Sequence, residues 1–294
     1  MGDDQEAKRS IGITGVTGSI GGRVAARLAR RGLAQRLVVR DINRAPELPG
    51  SSAVMAAYED AAAFERAVRG VDTLFLVSAP EAADRVDLHI SAVDAAVSAG
   101  VDRIVYLSFL AAAPAATFTF ARDHFYTEAH IRSTGVAHTF LRPSLYLDLV
   151  PYWADAFGVV RGPAGRGRIA WVARDDIADV AAAVLTGGSV HDGRTYDVTG
   201  PESVTLSETL DRFSALTGKH LSYVPETWEE ALESRRGSGA PEWAVEGWAS
   251  SYAAIASGEL DVVSDTVQDL TGHPACSIEG YLRKHPSALS HVHT

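Results

Sequence analysis

The chain has a single cysteine, Cys276, among its 294 residues. One cysteine cannot form an intrachain disulfide, and with no cysteine or histidine pair at metal-ligand spacing we expect no metal site. No apolar run reaches the ~18 residues that a membrane-spanning helix needs. Residues 1–6 lack the basic and apolar regions of a signal peptide, so we expect a cytoplasmic protein with no membrane partner.

Positive charge is also in deficit. The 27 lysines and arginines face 37 aspartates and glutamates, which gives a formal net charge of −10. Proteins that bind nucleic acids concentrate positive charge against the phosphate backbone, so we expect no nucleic-acid partner. Hydrophobic residues make up 46% and charged residues 22% of the chain, as in folded globular proteins rather than disordered ones.

Three evenly spaced glycines, Gly15, Gly18 and Gly21, follow a short apolar strand and precede a helical pattern. In a dinucleotide-binding turn the first glycine permits a tight reversal, the second lets the pyrophosphate approach the backbone, and the third lets the helix pack on the strand. Free amides at the helix start face the phosphates. This spacing also occurs in turns without a ligand, but the strand-turn-helix context favours a cofactor site. We assign this cofactor site to Gly15, Thr17, Gly18, Ser19 and Ile20.

Apolar strands alternate with helical patterns through residue 141. The segment 72–77 is almost continuously apolar, which is typical of a strand buried on both faces of a parallel sheet. We therefore predict an α/β fold, a Rossmann doubly wound parallel sheet, over residues 8–200. Residues 146–167, rich in aromatic residues and glycine, are predicted to cap the sheet edge. A capping box at residues 205–208 begins a smaller, mainly helical C-terminal lobe, residues 201–288.

Charged side chains after the second strand bear on the choice of cofactor. Arg40 and Arg44 oppose one carboxylate, Asp41, which favours NADP(H) over NAD(H), although Asp41 keeps NAD(H) open. A solvated charged loop is the alternative. Asp60 is assigned to the adenine amine, with a plain surface acid as the alternative. The end of the next strand should meet the nicotinamide half of the cofactor, through Val77, Ser78 and Ala79.

Several motifs together resemble the NmrA-like branch of the short-chain dehydrogenase/reductase superfamily, and most closely its type 2 NAD(P)H:quinone oxidoreductase and triphenylmethane reductase group. They are the glycine turn, the Arg40-Asp41 run, the segment 124–128, and Arg142-Pro143 at a strand end. The resemblance runs through most of the chain. It implies cofactor binding, to which we also assign Ser108, His124 and Pro143.

The chain departs from this superfamily at its usual catalytic pair. A tyrosine and a lysine four residues later normally pass a proton to the substrate oxygen, but the matching positions here are Phe120 and His124. The assisting serine is displaced, since Ser108 is followed by Phe109. His124 is predicted to hold the nicotinamide ribose, the alternative being a packed core histidine. His124 and Tyr146 remain the candidate catalytic residues.

The leading hypothesis is an NAD(P)H-dependent reductase that transfers hydride to an aromatic, electron-poor acceptor such as a quinone, including a polyketide tailoring step. Quinones and carbocations accept hydride readily, so the missing tyrosine is no bar. The predicted pocket for this small aromatic substrate contains Phe109, Tyr146 and Trp153. The alternative is an NmrA-like regulatory protein that senses the nucleotide without catalysis. The sequence leaves the oligomeric state open between monomer and homodimer.

Overall fold

The computed structural model describes residues 10–293 and divides into two compact units. The first contains the chain up to Ser108 together with residues 126–141 and 178–196. The second contains residues 109–125, residues 142–177 and the chain from Asp197 onward. We predicted a boundary after residue 200, with one domain on each side of it. In the structure, each of the two units contains residues that precede this point. Residues 8 and 9 of the predicted domain lie outside the described part.

A seven-stranded sheet forms the centre of the first unit, which holds all or most of each strand. Its strands are β1 (Ile11–Ile13), β2 (Gln35–Val39), β3 (Ser51–Met55), β4 (Thr73–Val77), β5 (Arg103–Leu107), β6 (Ala137–Pro143) and β9 (Arg194–Val198). The order is β3-β2-β1-β4-β5-β6-β9, and neighbours from β3 to β6 are parallel. The strand order therefore reverses between β1 and β4, with β2 and β3 on one side of β1, and β4, β5 and β6 on the other. Ligands of such sheets bind at the carboxyl ends of the strands at this point.

Five helices accompany these strands: α1 (Ser19–Arg30), α2 (Ala61–Val68), α3 (Arg85–Ser98), α4 (Thr119–Thr134) and α6 (Arg174–Gly187). The first four residues of α6 and residues 119–125 of α4 belong to the second unit. Phe64, Leu74, Tyr106, Ile131 and Phe140 are fully buried in one apolar cluster of the first unit. Apolar residues on the strands and on the facing sides of the helices account for this core.

The second unit contains short strands and most of the remaining helices. Its elements are α5 (Val150–Trp153), β7 (Val159–Gly162), β8 (Arg168–Ile169), β10 (Val204–Thr205), α7 (Leu206–Thr217), β11 (Ser222–Pro225), α8 (Trp228–Arg236), α9 (Glu242–Ala256), α10 (Thr266–Thr271) and α11 (Ile278–Lys284). Strand β7 pairs in parallel with β11, and β8 pairs with β10 in antiparallel fashion. These two small ladders were not foreseen from the sequence, because strands of two to four residues carry little periodic signal.

The structure confirms the predicted fold class and the capping box. The Thr205 side chain accepts a hydrogen bond from the Glu208 amide, and the Glu208 carboxylate accepts one from the Thr205 amide. Helix α4 begins at Thr119, whose amide donates to Ser250 Oγ at 3.1 Å. That bond comes from a distant part of the chain and so leaves no local signal. Among residues 10–293, every helix is too short or too polar to cross a bilayer.

Candidate cofactor and substrate site

The turn after β1 has the backbone geometry that its three glycines predict. Gly15 has φ +63°, and a Cβ there would lie 2.9 Å from Cβ of Val77. A Cβ on Gly21 would lie 2.4 Å from the Gly15 carbonyl oxygen, so α1 packs directly on the turn. At Gly18 an added Cβ would meet only the Gly15 oxygen, at 3.2 Å. The turn and helix packing therefore require glycine at 15 and 21, whereas position 18 stays open for a ligand.

This turn suits a pyrophosphate. Gly15, Thr17, Gly18 and Ser19 are exposed, whereas the Ile20 side chain is buried, so only the backbone of Ile20 is available to a ligand. Helix α1 begins at Ser19 without a side-chain cap and without an acidic residue in its first turn. Its first amides have no intrahelical acceptor and carry the positive end of the helix dipole. The residues present thus fit a dinucleotide phosphate group.

The two acids assigned to the adenosine half each cap a helical turn. Asp41 Oδ1 accepts from the backbone amide and side-chain amide of Asn43, at 3.0 and 3.2 Å, at the start of a 3₁₀ turn. Asp60 Oδ1 accepts from the Ala63 amide at 2.9 Å and caps α2. Arg40 and Arg44 are exposed, and their side chains form no hydrogen bond or ion pair within residues 10–293. Two cations are therefore available beside a carboxylate that is already engaged.

Thr14 and Tyr58 tie the ends of β1 and β4 together. Thr14 Oγ1 accepts from the Val77 amide at 2.8 Å and from the Tyr58 hydroxyl at 2.7 Å. The same hydroxyl lies 2.6 Å from the Val77 carbonyl oxygen, and burial raises the Tyr58 pKa above its usual range, so the hydroxyl remains a donor. Sequence reasoning missed both residues. A threonine directly before the first glycine was the only local signal.

Ser108, assigned to the cofactor, has an inward-facing hydroxyl. Its side chain is buried, and Oγ donates to Glu128 Oε1 at 2.6 Å. Glu128 is fully buried on α4, and its other oxygen accepts from Arg132 Nη2 at 3.1 Å. A hydroxyl has one proton, and here it is given to a carboxylate. Ser108 is therefore unable to donate to a substrate oxygen while this bond persists.

In the second unit, Phe120 occupies the expected tyrosine position as a core residue. Its ring packs edge-on against Phe118 and Trp243, with centroids 5.5 and 6.0 Å away. A Cβ on Gly247 of α9 would lie 2.2 Å from Cζ of Phe120. The ring thus fills the space that a glycine leaves on α9, and its tip points at the helix backbone. His124, one turn later, is buried and stacks on Phe109 with centroids 6.2 Å apart.

The residues predicted for the substrate pocket have different surroundings within this unit. Phe109 is buried in the aromatic core, and the Trp153 ring packs on Tyr252 with centroids 4.4 Å apart. The Tyr146 ring lies beneath Arg174, whose guanidinium carbon is 5.2 Å from the ring centroid. Tyr152 and Phe157, their aromatic neighbours in sequence, are 79% and 77% exposed. The segment that we predicted as a cap therefore contains both core and solvent-facing aromatic residues.

Comparison with known proteins tests the fold and the cofactor. A model of the NAD(P)H-binding family matches residues 15–187. The chain belongs to this family. It is 35% identical over 282 residues to the (4-alkanoyl-5-oxo-2,5-dihydrofuran-3-yl)methyl phosphate reductase of Streptomyces griseus, covering 95% of this chain and 98% of that protein.

Two solved structures are closely similar to the structure of this chain. The NADPH complex of the Escherichia coli quinone oxidoreductase QOR2 has a TM-score of 0.84 and 29% identity, covering 94% of this chain and 99% of the other. The NADP(H) complex of Citrobacter sp. triphenylmethane reductase has a TM-score of 0.82 and 28% identity, covering 93% and 99%. The resemblance predicted from the sequence is confirmed, and the chain is an NAD(P)H-dependent oxidoreductase. The role of each individual site residue stays a prediction.

Proposed function

We propose that this oxidoreductase reduces small, aromatic, electron-poor acceptors such as quinones and that it prefers NADPH. The main support is that neither of the two hydroxyl groups that usually donate to the substrate oxygen is available here. Phe120 replaces the tyrosine and fills the core at Gly247, and Ser108 gives its proton to Glu128. Reduction of an isolated ketone creates a localised alkoxide that needs such a donor. A conjugated acceptor spreads the new charge over its π system and takes a proton from water.

The preference for NADPH rests on the loop after β2. Arg40 and Arg44 are exposed and form no ion pair within the described chain, whereas Asp41 is held by Asn43. Two free guanidinium groups suit a 2′-phosphate better than a ribose hydroxyl. Both solved relatives were crystallised with NADPH or NADP(H). Arginine at these two positions is therefore expected to bind the 2′-phosphate.

When bound, NADPH supplies the hydride, and the chain binds and orients both partners. The amides of the glycine turn are proposed to hold the pyrophosphate, and His124 the nicotinamide ribose. Ser108 directly follows β5 and Pro143 ends β6, the two strands that come after β4 in the sheet. Both residues are proposed to contact the cofactor. The aromatic side chains proposed to contact a flat acceptor are Phe109, Tyr146 and Trp153.

The relatives support this substrate class. Their names or titles specify a quinone, triphenylmethane dyes and a furanone whose ring double bond carries an alkanoyl group and a ring carbonyl. All three are conjugated acceptors. The net charge of −10 also supports a small-molecule substrate rather than a nucleic-acid partner. The proposed location of the protein is the cytoplasm. Light scattering of the purified protein will decide between monomer and homodimer.

A panel of acceptors tests the proposal. The purified protein is mixed with NADPH and a small quinone, a cationic triarylmethane dye or an aliphatic ketone, and NADPH absorbance is followed. We expect turnover with the quinone or the dye and none with the ketone. His124→Phe should retain more of this turnover than Gly18→Val. Rapid ketone reduction would contradict the proposal, and NADPH binding without turnover of any acceptor would favour a nucleotide sensor.

A further inference from the structure

The backbone of Ala79 is held on both sides by side chains of α3. Its amide donates to Nε2 of His89 at 2.8 Å, and its carbonyl accepts from Nε of Arg85 at 2.9 Å. Ala79 lies two residues beyond the end of β4, where the ladder to β5 has stopped. Backbone groups in such a loop normally bond to water. Here two side chains one helical turn apart on α3 make the backbone hydrogen bonds that a neighbouring strand would otherwise make.

The ring of His89 is also fixed from its other side. It is fully buried, and Nδ1 lies 2.8 Å from Oγ1 of Thr127 on α4. Because Nε2 accepts the Ala79 amide proton, Nδ1 carries the ring proton and donates it to Thr127. The rings of Tyr58 and Tyr106 pack edge-on against the imidazole, with centroids 6.4 and 5.8 Å away. The imidazole therefore has one tautomer and one orientation.

The histidine also stays neutral under ordinary conditions. Burial, assisted by the nearby charge of Arg85, lowers the pKa of His89 from 6.5 to about 3. A protonated imidazole would present a second N–H to the Ala79 amide and break the bond. With the neutral ring, the bond persists throughout the pH range in which enzymes of this kind are assayed.

We propose that Arg85 and His89 are positioning residues that hold the loop after β4 in the conformation that binds the nicotinamide half of the cofactor. The inference rests on the cofactor assignment of Val77, Ser78 and Ala79 in the proposed function. Neither side chain is assigned to touch the cofactor. Each acts through the Ala79 backbone, so its loss changes the position of the loop and leaves the glycine turn intact.

Three substitutions separate positioning from general stabilisation. In His89→Gln the side-chain oxygen can reach the place of Nε2 and accept from Ala79. In His89→Asn the shorter amide can reach only the place of Nδ1, so the bond to Thr127 is kept and the bond to Ala79 is lost. Thr127→Val is the matched control, since it breaks the other hydrogen bond of the same ring.

The readout is binding of NADPH compared with adenosine 2′,5′-bisphosphate, which lacks the nicotinamide half. We expect His89→Asn to weaken NADPH about 10-fold, the effect of roughly one lost hydrogen bond, and to leave the bisphosphate within about twofold. His89→Gln and Thr127→Val should retain NADPH affinity within about threefold. If His89→Asn does not fold, Arg85→Met, which removes the bond to the Ala79 carbonyl, should give the same selective loss.

Equal weakening of NADPH and the bisphosphate in His89→Asn would overturn the proposal, as would unchanged NADPH affinity. A loss of NADPH affinity in Thr127→Val as large as that in His89→Asn would show that the ring only supports the core. The measurement uses no acceptor. A protein that binds NADPH but reduces no quinone would refute the proposed function and leave this result standing.

Discussion

The glycine turn of the first unit and the aromatic region of the second differ in what they are made of. At the turn the candidate ligand-binding groups are backbone amides, and side chains matter there mainly by being absent, as at Gly18. In the second unit the candidate groups are mostly rings that also contribute to packing, since Phe109 is buried in the core and the partly buried Trp153 packs against it.

The difference shows which kinds of site can be recognised before a structure is known. A backbone site requires particular glycines at particular spacings, because a Cβ there meets another atom or the ligand. A ring that contacts a substrate and a ring that packs in a core obey the same chemistry. Four substitutions or conditions, taken in order of decreasing effect, test how far this contrast holds.

The sharpest test of the backbone site is Gly18→Val. The branched side chain would occupy the open space at position 18, so NADPH affinity should fall more than about 100-fold, or roughly 3 kcal/mol. Fluorescence titration measures the affinity, and circular dichroism checks the fold. Gly21→Ala is the contrasting variant, because its Cβ would lie 2.4 Å from the Gly15 carbonyl oxygen and should disturb the fold itself. Full NADPH affinity in Gly18→Val would remove the pyrophosphate assignment.

Arg40→Ala tests whether side chains complete the backbone site. Loss of a charge-assisted bond to the 2′-phosphate should weaken NADPH by about 2 kcal/mol, or roughly 30-fold, and leave NADH almost unchanged. Parallel titrations with the two nucleotides give the result. Arg66→Ala, on α2, serves as a charge-matched control. Equal losses for NADPH and NADH, or no loss for either, would contradict the assignment of Arg40.

Acid should affect the polar core of the first unit through His89. Its pKa in the folded protein, about 3, lies below the ordinary value of 6.5, so the unfolded chain binds the proton more readily. The free energy of unfolding therefore falls as pH drops below 6.5 and is unaffected by this group above pH 7. The loss from His89 should reach about 2 kcal/mol at pH 5. Denaturant titrations at pH 7 and 5 should show a smaller drop for His89→Gln, and equal drops would disprove this contribution.

Phe120→Tyr tests the aromatic region by restoring the usual superfamily residue. The hydroxyl would extend from Cζ towards the α9 backbone at Gly247, so we expect a loss of about 1 kcal/mol in stability through overpacking. We expect no gain of ketone reduction. Phe157→Tyr, at a site 77% exposed, should leave the melting temperature unchanged. A Phe120→Tyr variant that reduces ketones would show that this position faces a substrate.

Local sequence patterns are enough to predict the strand alternation, the parallel sheet and the glycine turn. Each depends on local rules: apolar periodicity, the left-handed φ of Gly15 and the need for close packing at Gly21. The capping box at Thr205 is local in the same sense, and the structure confirms it. The superfamily residue missing at Phe120 was also visible without coordinates.

Which polar and aromatic groups remain available depends on contacts between distant parts of the chain. Ser108 meets Glu128 across 20 residues, Ala79 meets His89 across 10, and the start of α4 meets Ser250 across 131. Whether Phe120 faces a ligand or a core depends on Gly247, which lies far along the chain. Local sequence patterns specify which conformations a segment can adopt. They carry no record of the distant partner that occupies a hydroxyl, a backbone amide or a ring.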